Sequence, residues 1–336
     1  MDSRLGLAWL HIRPTAVPVA FPLALLLALG GCDAGGGADD ASSSDAAGDD
    51  AGDTQAGDTA GGDDGEPVAC PLAPAECALG LDLLTAEELG GRLGDDALDI
   101  VDLRSEGAYE AGHVPGAIRV DESLLRATVD GVAGQVAPQA EVEAALSAAG
   151  LRPGVDVIAY GADGGLDAAR LLWTLQYYGH EGRLGKLDGG WSGWTDGARE
   201  ETTGPSSASS TYVAGNLRDE VRVDKQWVVD HLDDPSVAFI DARAASEFAA
   251  GHIPGALHAD WNALVDPQDF LLPRAEVEAQ YPGVTSDQTV VTYCQTGSRA
   301  SMAYFAVRWL GYPDVRIYDG SWAEYGADPD TPKATN

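Results

Sequence analysis

Two stretches of this sequence carry the same landmarks in the same order, and that duplication restricts the fold more than any other feature. Residues 98–102 (Leu-Asp-Ile-Val-Asp) read as a buried strand. Leu103 and Arg104 follow, then a short acidic helix, then Gly112-His113-Val114-Pro115-Gly116-Ala117. Residues 238–243 end in Asp241-Ala242-Arg243 and lead through Glu247 and Phe248 to Gly251-His252-Ile253-Pro254-Gly255-Ala256. Asp102 stands ten residues before Gly112, Asp241 stands ten before Gly251, and the copies lie 139 residues apart. Residues 155–160 and 289–293 are further strand signals, rich in β-branched residues. Each leads through a loop into a long helix, expected at 166–178 and 298–310 and stopped by Gly179 and Gly311. In the second of these helices Ala303, Ala306, Val307 and Leu310 fall near one face. Both copies close on Asp-Gly-x-Trp, at 188–191 and 319–322. Alternating strands and helices predict an α/β fold of two tandem domains, each a mostly parallel central sheet flanked by helices. The expected bounds are 79–203 and 215–336, joined by a linker at 204–214 that contains Gly-Pro-Ser-Ser-Ala-Ser-Ser.

The region before the repeat cannot build a core. Arg4 and Arg13 precede an apolar run at 17–29, too short for a comfortable membrane span but suited to an export signal. The run ends in Leu29-Gly30-Gly31-Cys32, which resembles a bacterial lipobox. Residues 1–31 are therefore expected to be a lipoprotein signal peptide, with Cys32 lipidated and the protein held at the cell envelope, on the periplasmic or outer surface. Residues 33–66 hold 10 Asp, 9 Gly and 8 Ala, with no basic residue. Such a stretch cannot recover its ordering entropy. Residues 32–78 are expected to be a disordered, charge-extended tether. Cys70 and Cys77 can close a small disulfide after export. A redox pair and a weak metal site are the alternatives.

Composition excludes some classes. The chain has 336 residues, with Lys+Arg 20 against Asp+Glu 54 and a formal net charge of −34. That excess opposes nonspecific nucleic-acid binding, which needs cations to meet phosphates. Six His and four Cys rule out a metal-rich protein and a disulfide-dense scaffold.

The copies differ after the third strand. The second has Cys294-Gln295-Thr296-Gly297-Ser298-Arg299 where the first has Gly161-Ala162-Asp163-Gly164-Gly165-Leu166. A thiol at the carboxyl end of a central strand, just before a helix, lies where open α/β sheets bind ligands. Loop amides and the helix dipole there favour an anion, including a thiolate. Gly297 permits a tight turn, and Arg299 adds a cation suited to a sulfonate or carboxylate.

With these marks in place, residues of about 80–330 resemble the tandem-domain rhodanese family of sulfurtransferases. The resemblance rests on the two Gly-His-(Val/Ile)-Pro-Gly-Ala segments, the Tyr-Cys-x-x-Gly-x-Arg loop and the closing Asp-Gly-(Gly/Ser)-Trp motifs. It implies an inactive first domain, with Gly161 where a nucleophile would be, and a catalytic second domain. It also implies double displacement: Cys294 takes the outer sulfur of thiosulfate or 3-mercaptopyruvate as a persulfide, and cyanide or a thiol then removes it. Arg299 would orient a small anionic donor, and the backbone N–H groups of Gln295, Thr296, Gly297, Ser298 and Arg299 would form the cradle. No metal and no organic cofactor is implied. A thioredoxin-like acceptor, membrane contact through the N-terminal lipid alone, and a monomer are the expected associations.

The loop length, with four residues between Cys294 and Arg299, suits a sulfur atom on the Cys better than the five-residue ring of phosphatase-like relatives. Its sequence matches neither the Cys-Arg-Lys-Gly-Val-Thr loop typical of thiosulfate enzymes nor the Cys-Gly-(Ser/Thr)-Gly-Val-(Ser/Thr) loop of mercaptopyruvate enzymes. The stretch before Gly251 is short and carries Glu247 rather than a substrate-binding Arg, so Arg299 is expected to replace that charge. Asp241, Arg243 and Trp322 are candidates for the rim. Counterparts of Asp241 and Arg243, Asp102 and Arg104, persist in the copy without the thiol, which points to a scaffold role. The competing reading is a non-enzymatic sulfur carrier, redox sensor or docking module.

Overall fold

A computed structural model describes residues 80–206 and 208–335. Cys32, the acidic tether, Cys70 and Cys77 lie outside the described residues. The first half contains β1 (Leu81–Leu84), β2 (Leu98–Asp102), β3 (Ile118–Arg119), β4 (Arg126–Val129), β5 (Val132–Val136), β6 (Asp156–Tyr160) and β7 (Leu184–Leu187). Five of these form one parallel sheet in the order β1-β7-β6-β2-β3, while β4 and β5 pair as an antiparallel hairpin. The second half contains β8 (Arg222–Val223), β9 (Val237–Asp241), β10 (Leu257–His258), β11 (Thr289–Tyr293) and β12 (Val315–Tyr318), in the parallel order β10-β9-β11-β12-β8. From its other edge the second order repeats the first. The duplicated sequence has become a duplicated α/β sheet.

Parallel sheets of this kind are covered on both faces, so their strands read as continuous apolar runs. All five residues of β2 are buried. Its last residue, Asp102, is tolerated inside because Arg104 meets both carboxylate oxygens and also donates to Gly112 O at 2.6 Å. The second half repeats this unit: Arg243 Nη2 lies 2.6 Å from Asp241 Oδ2 and donates to Gly251 O at 2.6 Å. Each His of the repeated turns stacks on a ring one helical turn earlier, His113 on Tyr109 and His252 on Phe248, with Nδ1 on that residue's carbonyl. These His side chains are framework.

The long helices depart from the amphipathic expectation. Leu166–Tyr177 and Ser298–Trp309 are buried around almost their whole circumference. They pack against one another as well as against their own sheets, so Trp173, Leu171, Met302 and Phe305 share one core across the two halves. A helix buried all round carries little one-sided periodicity. Residues 204–214 link the halves but are not free: Ser210 N–H meets Ser147 O at 2.9 Å, and Tyr212, almost wholly buried, donates its N–H to Ser147 Oγ at 2.9 Å.

The closing motifs clasp the halves together. Asp319 accepts Arg170 Nη1 of the first half at 2.7 Å, with both side chains wholly buried. Its other oxygen accepts the N–H of Val136, in β5, at 2.7 Å. Reciprocally, Asp188 accepts the N–H of Leu271, from the second half, at 2.8 Å. Removing one partner of a fully buried pair strands the other. Asp319→Ala is expected to cost about 3–5 kcal/mol, read from the midpoint of urea unfolding.

One buried charge lacks such a partner. Lys186 stands in β7 where β12 has Ile317; its Nζ is buried without a hydrogen bond among the described residues and lies 5.8 Å from the centre of the Phe305 ring. Burial lowers its pKa, opposed by Asp188 and Asp269. Lys186→Ile is expected to stabilise the fold at pH 7 by about 1 kcal/mol or more. For a base with a lowered folded-state pKa, the penalty is full below that pKa and fades as pH climbs toward the ordinary lysine value near 10.4. The gain from Lys186→Ile should therefore shrink between pH 7 and pH 10, measured by urea unfolding at each pH.

Candidate active site

The site begins where β11 stops. Cys294 follows Tyr293 at the carboxyl end of the central strand of the second sheet, and Ser298 opens the long helix. Four residues make the turn, one fewer than the five between β6 and the helix Leu166–Tyr177. Gly297 completes it at φ +93, in the left-handed region. A Cβ at Gly297 would stand 2.8 Å from both Arg170 Nη1 and Asp319 Oδ1. The interdomain ion pair thus forms the floor of the loop, and only glycine fits above it.

Cys294 is 1% exposed and is a free thiol. The Gly297 N–H donates to its Sγ at 3.1 Å. Of the amides expected to form a cradle, this one already points at the sulfur. The second closing motif holds the loop from behind. Trp322 N–H donates to Cys294 O at 2.9 Å, and Ala323 N–H donates to Gln295 O at 3.0 Å. In the first half Trp191 N–H meets Gly161 O in the same way, so this part of the frame survives without the thiol.

One contact is specific to the half with the thiol. Ser321 Oγ accepts the Cys294 N–H at 3.2 Å and donates to Tyr318 O at 2.9 Å. Ser321 is buried and holds φ +52, a conformation that costs a non-glycine residue on the order of 1 kcal/mol. Its counterpart is Gly190, at φ +51. The copy with the thiol accepts strain at this position and has a hydroxyl behind Cys294. The Gly-to-Ser difference between the two closing motifs was the sequence signal for Ser321, and the repeat comparison passed over it.

Arg299 does not stand alone. Its Nη1 and Nη2 meet the two carboxylate oxygens of Glu247 at 2.5 and 2.9 Å. Glu247 also accepts the Ala244 N–H at 3.2 Å. The hydrogen bond to Glu247 is the main influence raising the Arg299 pKa, with the nearby Cys294 sulfur adding to it. In turn Arg299 holds the Glu247 carboxyl below its ordinary range. A guanidinium has five N–H donors. Two go to Glu247, which leaves donors for an anion at the loop. Arg299 therefore enters as half of a bidentate pair rather than as an unpaired replacement charge.

Of the two readings of Asp241 and Arg243, burial favours the scaffold over the rim. They are 0% and 2% exposed and brace the Gly251 turn, as Asp102 and Arg104 brace theirs. The Trp322 ring is directed to that scaffold too: it lies 4.6 Å from the Arg243 guanidinium carbon and against Gly251. What Trp322 gives the loop is its backbone N–H. Gln295, Thr296, Ser298 and Arg299 are part-buried. The cover over Thr296 comes from the first half. A Cβ on Gly134, in β5, would stand 2.9 Å from Thr296 Cβ and 3.0 Å from Thr296 O. Nothing in the sequence pattern pointed to that hairpin, because it has no paired-strand counterpart among the described residues of the other copy.

A free thiol that accepts a loop N–H, beside a guanidinium, at the end of a duplicated α/β sheet points to a class of group-transfer protein. The model of the rhodanese-like domain matches this chain twice, at residues 85–196 and 224–328. The chain is 34% identical over 260 residues to a thiosulfate sulfurtransferase of Pseudomonas aeruginosa, covering 74% of this chain and 96% of that one. It is 33% identical over 277 residues to a probable 3-mercaptopyruvate sulfurtransferase of the same organism, covering 75% and 98%. Among solved structures, the 3-mercaptopyruvate sulfotransferase SseA of Escherichia coli superposes with a TM-score of 0.65 at 25% identity, over 72% of this chain and 99% of that one. The chain belongs to the rhodanese family, with two rhodanese-like domains and the sulfurtransferase activity of that family.

Two substitutions separate the roles of Ser321. Ser321→Ala keeps the strained backbone and strands the buried Cys294 N–H, with an expected loss of about 1–3 kcal/mol. Ser321→Gly relieves the positive φ and should melt above the alanine variant. Both should change the rate at which iodoacetamide alkylates Cys294, since both release the backbone that sets the sulfur.

Proposed function

We propose that this protein moves a sulfur atom through a persulfide on Cys294, taken from thiosulfate with loss of sulfite or from the thiol of 3-mercaptopyruvate with cleavage of its C–S bond and loss of pyruvate, whose enolate takes up a proton. The observation that carries the reading is the Gly297 N–H at 3.1 Å from Cys294 Sγ, in a loop whose counterpart holds Gly161 in place of the thiol. Donor groups already aimed at a sulfur stabilise negative charge there without reorganising during the reaction. In the first step the Cys294 thiolate attacks the outer sulfur of thiosulfate. A new S–S bond forms, the S–S bond of thiosulfate breaks, and sulfite leaves with the electron pair. In the second step cyanide attacks the outer persulfide sulfur. Thiocyanate forms and the Cys294 thiolate is restored. A thiol acceptor follows the same route, leaving the sulfur as its own persulfide. Arg299, oriented by Glu247, supplies N–H donors to the oxyanion end of the donor, and neither step calls for a metal or an organic cofactor.

The two relatives above are similar to this chain to nearly the same degree but are named for different donors, and the loop Cys-Gln-Thr-Gly-Ser-Arg follows neither family pattern. The proposal favours thiosulfate, because the Cys-x-x-Gly-x-Arg loop resembles those of bacterial sulfurtransferases assigned to that donor. It extends to location: Cys32 carries a lipid and residues 33–66 hold the enzyme off the cell envelope as a monomer. That part rests on the residue pattern at 4–32 and the Asp-rich tether. A fatty-acyl label incorporated by the parent and absent from Cys32→Ala tests it.

Thiocyanate release from cyanide, measured with each donor in turn, tests the chemistry. The parent should turn over, and Cys294→Ala should lose turnover completely. The donor with the larger kcat/KM names the subclass. A folded parent with free Cys294 that releases no thiocyanate with either donor overturns the enzyme and leaves a sulfur carrier.

A further inference from the structure

We infer that Arg126, in the hairpin of the domain without the thiol, binds the oxyanion end of the sulfur donor at the Cys294 loop. The inference rests on the reading of Cys294 as the sulfur-accepting residue.

The starting point is an imbalance of donors. The cradle loop has a single guanidinium, and Arg299 already gives two N–H groups to Glu247. A dianionic donor has three sulfonate oxygens to place, and the sulfur end alone enters the ring. The outer end must meet whatever covers the loop, which is the β4–β5 hairpin.

Distances decide which hairpin side chain meets the loop. Arg126 pairs with Val136, and the register then shifts between Ala127 and Val129, where Gly134 of β5 holds φ +83 and strand alternation is interrupted. The point where a Gly134 Cβ would sit is 2.9 Å from Thr296 Cβ and 3.5 Å from Arg126 Nη1. The guanidinium of a first-domain residue therefore stands beside Thr296, and Thr296 is next to the Gly297 whose N–H touches the sulfur. Gly134 keeps the approach open, because any side chain there would drive the hairpin away from the loop.

Arg126 is held in place yet incomplete. Its Nε donates to Glu122 Oε1, four residues earlier, which fixes the plane of the guanidinium. Its Nη2 is buried and has no hydrogen-bond partner among the described residues. A buried donor left unpaired costs free energy that a partner would recover. An oxyanion between Arg126 and the loop supplies that partner, and a guanidinium suits a sulfonate or carboxylate edge. Glu122 and Glu247 are the acidic side chains paired with the two guanidiniums; each neutralises charge but leaves its Arg with donors unused.

The test separates binding from turnover. Full-length Cys294→Ala protein is dialysed to equilibrium against radiolabelled thiosulfate, alone and with Arg126→Gln or Arg126→Lys added. Arg126→Gln is expected to weaken binding at least tenfold, and Arg126→Lys to restore part of the loss by keeping the charge. With Cys294 present, Arg126→Gln should raise the KM for thiosulfate at least tenfold and leave kcat within threefold. Equal affinity in Cys294→Ala with and without Arg126→Gln overturns the inference, as does absence of thiosulfate binding in Cys294→Ala itself. So does a loss that Arg126→Lys reproduces in full, since that marks a packing role. Arg126-dependent binding without thiocyanate production sinks the proposed enzyme while the donor site stands. Turnover indifferent to Arg126 does the reverse.

Discussion

The buried ion pair between Asp319 and Arg170 is the constraint on which the rest of this molecule hangs. Two charges wholly removed from water are costly unless they are paired and hydrogen-bonded. Asp319 meets this by accepting both Arg170 and the Val136 N–H, and both partners come from the other domain. Arg222 stands 3.9 Å from the same carboxylate. The pair lies directly under Gly297, so the contact that joins the domains also sets the floor of the candidate active site. The two requirements share atoms. A shift of one domain against the other would tilt the loop that holds Cys294.

Duplication explains how the arrangement divides its work. Each closing Asp reaches across to the partner domain, Asp319 to Val136 and Asp188 to Leu271. Both copies retain the Asp–Arg brace, the stacked His and the Trp N–H that ties the loop from behind. Several differences cluster at the loop. The second copy has the thiol, a turn shorter by one residue, and Ser321 where the first has Gly190. The first copy has the hairpin that covers its partner's loop. One copy holds the thiol and the other provides part of its surroundings, so a domain without the thiol still shapes the candidate site.

Local signals were legible wherever a rule acts within a few residues. The strand ending at Tyr293, the turn at Gly297 and the helix starting at Ser298 follow from a β-branched run, a glycine and a change of period, and the thiol between them named the site. Glu247 was noticed as a departure, but its pairing with Arg299 across 52 residues was not readable from spacing. Ser321 was visible as a difference between the closing motifs, and its meaning depended on knowing that its hydroxyl reaches the Cys294 N–H. Asp241 and Arg243 stayed open between rim and scaffold in the sequence, because a strand-end charge looks the same in one dimension whether it faces solvent or braces a buried turn.

The sequence by itself determined the duplicated α/β architecture, the half that carries the thiol and the donor-rich loop around it. These depend on periodicity, turn chemistry and the contrast between Cys294 and Gly161, all local in the chain. The tertiary structure decided that the long helices are buried on nearly every side, that Arg170 and Asp319 meet under Gly297, and that the β4–β5 hairpin lies over Thr296. Those are contacts between residues far apart in sequence, and the energy that selects them comes from packing two sheets and their helices into one core. No local pattern encodes which face of one domain will meet which loop of the other.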